Sequence, residues 1–152
     1  LHRLSKTPRS LSKDKYVENP AWEKLHREFH MVLIENCGSR WLIGFCEQLY
    51  DQAYRYRQLA AKTSYKRRHE LDEHKAVVDA VLAGDVNKAC NALTGHYDKT
   101  AQIILKNGGL CNSYGCYAQF FYSMYVTSKL FGVSSLSKIK LKYTFTSLSA
   151  LP

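Results

Sequence analysis

Six histidines occur in the 152 residues, and four of them, His26, His30, His74 and His96, fall in or beside apolar stripes. His26 and His30 are spaced i, i+4, so a helix sets both imidazoles on one face, one turn apart and able to share a metal. His74 lies inside a second stripe, and His96 flanks a third. Rings carried by separate helices converge when the helices pack as a bundle, as ligands do in helical metal sites. Imidazole nitrogens suit zinc, nickel, copper or iron, with zinc about 2.0 to 2.1 Å from each nitrogen. Four neutral ligands leave the full 2+ charge in place, which would draw an anion such as a carboxylate into an open coordination position. The plainer account is that each histidine is a hydrogen-bonded core or boundary residue, ordinary for a side chain of intermediate burial. His2 and His69 sit in basic, polar stretches and read as solvated.

Four helices are expected to position these side chains. Asn19-Pro20 supplies a cap and a pre-set first turn, and Trp22, Leu25, Phe29 and Leu33 follow at helical spacing to about Asn36, with Gly38 as the stop. From Trp41 to about Lys62, Leu42, Phe45, Leu49, Ala53, Tyr56 and Ala60 make one stripe, predicting a single long amphipathic helix. A third helix carries Leu71, His74, Val78, Val81 and Leu82 and closes at Gly84. Asp85 caps a fourth, with Val86, Ala89, Leu93, Tyr97, Thr100 and Ile104 on one face. Short connections make the expected fold an all-α antiparallel bundle over residues 1–106. Residues 107–152 change character, with strand-like alternation at Ile139, Leu141, Tyr143 and Phe145. They read as an atypical tail, set apart from functional reasoning.

Arg57 lies nearer its stripe than Arg55, which would let it clamp a carboxylate through two parallel hydrogen bonds. A snorkelling surface arginine is the alternative. Gln52, on the same side, is a further candidate donor to such an effector. Lys62, Lys66, Arg67 and Arg68 read as a solvated turn, and Cys37 and Cys46 as buried free thiols. Glu73 adjoins His74 but is expected on a different helix face, which leaves the histidines without an evident general base.

The net charge of +9 raises nucleic-acid binding, but 18 of the 22 basic residues share residues 1–106 with all 13 acids, a net of +5 there. Four lysines without an acid after residue 107 inflate the balance. Five cysteines without CxxC spacing, and no signal-like opening, point to reduced thiols in a cytoplasm. The uncharged run 107–128 is interrupted by Asn, Gly, Ser, Gln and Thr, so no membrane span is expected. Leu1 to Glu18 opens in mid-pattern without Met, the expected sign of a longer parent chain.

Phe29-His30, the run Glu73-His74-Lys75-Ala76-Val77-Val78-Asp79-Ala80, Gly84-Asp85, and His96 placed 22 residues after His74 form a combined pattern. It resembles the FadR C-terminal ligand-binding (FCD) domain of GntR-type transcription regulators. The segments WEKLHREFHMVLIENCGSRWL and FCEQLYDQAYRYRQLA are similar to its CsiR-like subgroup, and the likeness covers residues 1–105. The resemblance implies an effector-sensing bundle, not an enzyme, that binds a divalent metal, zinc or nickel, and a small carboxylate. It also implies a homodimer that reaches operator DNA through an N-terminal winged helix-turn-helix. His30, His74 and His96 occupy ligand positions of the family, and His26 stands where much of the family has Asp or Asn. Two alternatives from the residues themselves are a helical metal-dependent hydrolase and a ligand-free helical interaction module.

Overall fold

The computed structural model describes residues 1–106, and the tail from 107 to 152, with its expected strand, lies outside the described residues. The described chain is all-helical: α1 (His2–Lys6), α2 (Pro20–Val32), α3 (Arg40–Gln52), α4 (Tyr54–Ser64), α5 (Glu70–Leu82) and α6 (Val86–Lys106). Among the described residues there is no strand, only an isolated antiparallel bridge between Ser10 and Glu18. The fold class read from periodicity holds, and two of its elements need correction.

The opening segment, read only as basic and Ser-rich, contains α1. Leu4 is buried against Trp22 and Phe29 of α2, with Leu1, Leu25, Leu33 and Val78 packed around them. The strap that follows is closed by Ser10 Oγ, which accepts from the Val17 amide at 2.8 Å. Asn19 then ties the strap to α2, because its Nδ2 donates to the Pro8 carbonyl at 2.7 Å while its Oδ1 accepts from the Ala21 amide at 3.1 Å.

The expected long helix from Trp41 to Lys62 is two helices that meet at Ala53. A continuous helix would give the Tyr50 carbonyl to the amide four residues on. Here Nη1 of Arg57 donates to it at 2.6 Å. A side chain inserted into the backbone ladder is a recognised cause of a helix break. Periodicity could not show it, because Ala53 keeps its place in the stripe and is buried.

The best-defined turn joins α5 to α6. Gly84 has φ +69°, the Asp85 amide donates to Ala80 O and the Gly84 amide to Val81 O, both at 3.0 Å. These are the two hydrogen bonds of a Schellman motif, and they satisfy carbonyls that the helix end leaves free. Asp85 Oδ1 next accepts from the Lys88 amide at 2.9 Å and opens α6. Gly84→Ala should therefore cost about 1 to 2 kcal/mol from left-handed strain alone, since nothing crowds the added carbon. Urea unfolding checks this, and an unchanged midpoint would refute the role given to the turn.

α5 and α6 pack on each other most extensively, α4 lies against α6, and α2 joins α1 to α3. The stripe of α5 is rotated from the expected one: His74, Val77 and Ala80 are buried, while Leu71 and Leu82 are exposed. In α6, Ala89, His96, Thr100 and Ile104 form the buried row, so His96 belongs to the stripe it was expected to flank.

Candidate metal centre

α2 buries Trp22, His26, Phe29 and His30, a single face at i, i+4, i+7 and i+8. That face meets His74 of α5 and His96 of α6, and all four imidazoles are at most 5% exposed. One nitrogen from each ring lies within 4.8 Å of the others. His26 Nε2 is 3.0 Å from His30 Nε2 and 3.2 Å from His74 Nε2. Ligand nitrogens about 2.1 Å from one cation stand about 3.0 Å apart at right angles and about 3.4 Å apart in a tetrahedron. Those two separations match ligands of one divalent cation, and the chemistry of all four donors suits it.

Burial and repulsion from neighbouring imidazoles hold His26 and His30 well below the ordinary histidine range, and His74, chiefly through burial, at about 3. All three are neutral at physiological pH, the form that binds metal. The outward nitrogens are anchored in three cases. Tyr50 Oη is 2.9 Å from His26 Nδ1, Tyr97 Oη 3.3 Å from His30 Nδ1, and Glu73 Oε2 2.8 Å from His96 Nδ1. Such partners fix the tautomer and aim of a ligating imidazole. His74 Nδ1 is the exception, buried without a hydrogen bond among the described residues.

Tyr50→Phe removes one anchor and keeps the ring. It should weaken metal binding about 10- to 100-fold, measured by competition with a chromophoric chelator. Unchanged affinity would show that Tyr50 only packs.

Glu73 corrects an expectation. It does not point away from the histidines but grips His96 from behind. Burial alone would raise its carboxyl, yet hydrogen bonds from His96 and Arg68 outweigh that and hold it well below the usual range. Arg68 corrects another: its side chain is 6% exposed, not solvated. It donates to Glu73 at 2.7 Å, to Thr100 Oγ1 at 2.8 Å and to the His96 carbonyl at 2.8 Å. Lys62, Lys66 and Arg67 are exposed as expected, and so are His2 and His69.

A narrow cleft runs beside the cluster and is lined by Arg9, Trp22, Glu23, His26, Arg57 and His96, among others. Arg57 faces inward as its wheel position implied, and its guanidinium lies 3.6 Å from the centroid of the Tyr50 ring. Gln52 is exposed and does not line the cleft. Arg9 went unnoticed because nothing in a basic, Ser-rich stretch marks one arginine as buried. Tyr50, Tyr97 and Glu73 did carry a signal: a buried imidazole needs a partner for its second nitrogen, and Tyr97 sits in a stripe while Tyr50 and Glu73 adjoin one.

A helical bundle closed around buried ligand-type side chains, with a cleft alongside, is the build of a small-molecule-binding domain. The FCD domain family model matches residues 5–99, and the chain belongs to that family. It is 33% identical over 107 residues to the uncharacterized HTH-type transcriptional regulator BphR of Paraburkholderia xenovorans (strain LB400), covering 70% of this chain and 44% of that protein. It is 30% identical over 99 residues to the HTH-type transcriptional repressor GlaR of Escherichia coli (strain K12), covering 62% of this chain and 44% of the relative. The chain thus spans less than half the length of these curated relatives. No solved structure matches it.

Proposed function

We propose that this chain is the effector-sensing domain of a GntR-type transcription regulator, holding a divalent metal and a small carboxylate. The observation that carries the reading is the convergence of four buried imidazole nitrogens within 4.8 Å. His26, His30, His74 and His96 would hold zinc or nickel, and the cation supplies a positive charge to a carboxylate lying in the cleft. Arg57 is the nearest candidate to pair with that carboxylate, whereas exposed Gln52 loses its claim. Support for the regulator comes from family membership and from the two HTH-type relatives.

In this reading the parent protein works in the cytoplasm as a homodimer and touches operator DNA through a winged helix-turn-helix ahead of this domain. No described helix is long and apolar enough to cross a membrane. Regulation requires that the effector bind two arrangements of the dimer with different affinity, since equal affinity shifts nothing. The hydrolase reading draws no support from Glu73, the carboxylate beside the cluster, because His96 and Arg68 already occupy it.

Elemental analysis of the purified chain, followed by thermal melts with small carboxylates in the presence and absence of chelator, tests the proposal. One zinc or nickel per chain is expected, with carboxylates raising the melting temperature only when the metal is bound. Negligible metal after incubation with either ion would remove the mechanism.

A further inference from the structure

Lys62 in the last turn of α4, Lys66 and Arg67 just beyond it, and Lys13 and Lys15 in the strap are all exposed, and none forms an ion pair among the described residues. The two segments are stitched together. Tyr65 Oη donates to the Ser12 carbonyl at 3.0 Å, which sets Lys13 beside the connection that carries Lys66. The Tyr16 and Tyr65 rings meet edge to face with centroids 5.8 Å apart, and that contact brings Lys15 to the same end of the domain. Lys62 and Lys66 stand about one helical turn apart, because Tyr65 keeps helical backbone angles past the end of α4. Arg67 Nη2 donates to the Thr63 carbonyl at 2.6 Å, while Arg68 turns inward to Glu73 and the His96 carbonyl and anchors the connection. Residues 11–17 and 59–69 set one acid, Asp14, against these five exposed bases.

Like charges gathered without counter-charges raise the local potential and draw a polyanion, whose condensed counterions are then released. Building on the regulator reading, which puts operator DNA against another domain of the parent, we infer that this patch docks the sugar-phosphate backbone of duplex DNA. Cationic side chains on a turn and a strap position a backbone and carry no sequence information. The sensing domain thus adds affinity, independent of base sequence, to whatever reads the operator. A duplex suits the patch better than a single strand. Single strands are held by aromatic rings on which bases stack, and here Tyr16 and Tyr65 are half-buried and packed on each other, with Arg9 over the Tyr16 ring.

Fluorescence anisotropy of the full chain with a labelled duplex of about 30 base pairs and arbitrary sequence, between about 50 and 200 mM salt, tests the inference. The logarithm of the association constant should fall against the logarithm of salt with a slope of about −4 or steeper. Combining Lys62→Ala, Lys66→Ala and Arg67→Ala should make the slope shallower by about 2.7, equally on a second duplex of unrelated sequence. Lys13→Gln with Lys15→Gln, on the other segment, should make it shallower by about 1.8. Lys24→Ala, Lys88→Ala and Lys106→Ala together remove the same charge as the first variant from exposed lysines elsewhere, and should change it by less than about 1. No binding at the lowest salt, a slope untouched by either patch variant, or a control that loses as much as the first variant would overturn the inference. Tighter binding to a single strand of equal length, or equal binding to polyglutamate of matched charge, would overturn it too. Failure to take up zinc, with patch-dependent binding to the duplex intact, would instead overturn the metal-dependent sensing reading alone.

Discussion

His74→Ala should lower metal affinity about a hundredfold. Structural zinc binding by four side chains in peptides comes to about 10 to 16 kcal/mol, so one ligand in four carries roughly 3 kcal/mol. His74 is the sharpest probe because it is 1% exposed and its Nδ1 has no hydrogen bond among the described residues. In metal-free protein that ring leaves a buried polar atom unsatisfied, so its loss is partly offset by removing the orphan. With saturating metal the same ring is a ligand. The variant should thus lose about 2.3 kcal/mol of metal-dependent stabilisation when metal is held at a hundred times the wild-type dissociation constant, and much less in chelator. Melts with and without chelator separate the two terms. An equal loss in both conditions would mean that His74 is a packing residue and not a ligand.

Arg68→Met should destabilise the domain by about 3 to 5 kcal/mol, the usual cost of breaking a buried ion pair by removing one partner. The guanidinium joins the α4–α5 connection to both helices of the hairpin, through Glu73, Glu70, Thr100 and the His96 carbonyl. Without it, Glu73 and Glu70 stay buried beside each other, with side chains only 11% and 10% exposed. Lysine is a poor substitute, because one ammonium cannot match a planar fork that engages carboxylate, hydroxyl and carbonyl together. Arg67→Ala, at an exposed neighbour, should stay within about 0.5 kcal/mol and serves as the control. Guanidinium chloride unfolding of the three variants decides the matter, and a loss for Arg68→Met as small as that for Arg67→Ala would show the network to be ornamental.

What the sequence made legible follows from what local chemistry can encode. Caps and stops are local, and Asn19, Gly84 and Asp85 act where their residue types said they would, whereas α2 ends at Val32, short of the stop expected at Gly38. The i, i+4 pair His26 and His30 is local too, and the interior stripes were sufficient to bring His74 and His96 to the same place. Arg68 was misread because a run of basic residues looks solvated until its partners are known, and two of those partners are on α6. The break at Ala53 was missed for a related reason, since it depends on where one arginine side chain folds back and not on helix propensity. The rotation of the α5 stripe, which exposes Leu71 and Leu82, reflects a surface position set by neighbouring helices over intrinsic hydrophobicity.

The junction of α3 and α4 shares a residue with the histidine cluster. Arg57 holds the Tyr50 backbone oxygen and faces its ring, while the hydroxyl at the far end of that ring steadies His26. Whatever shifts that guanidinium therefore acts at once on the place where two helices meet and on the aim of a buried imidazole.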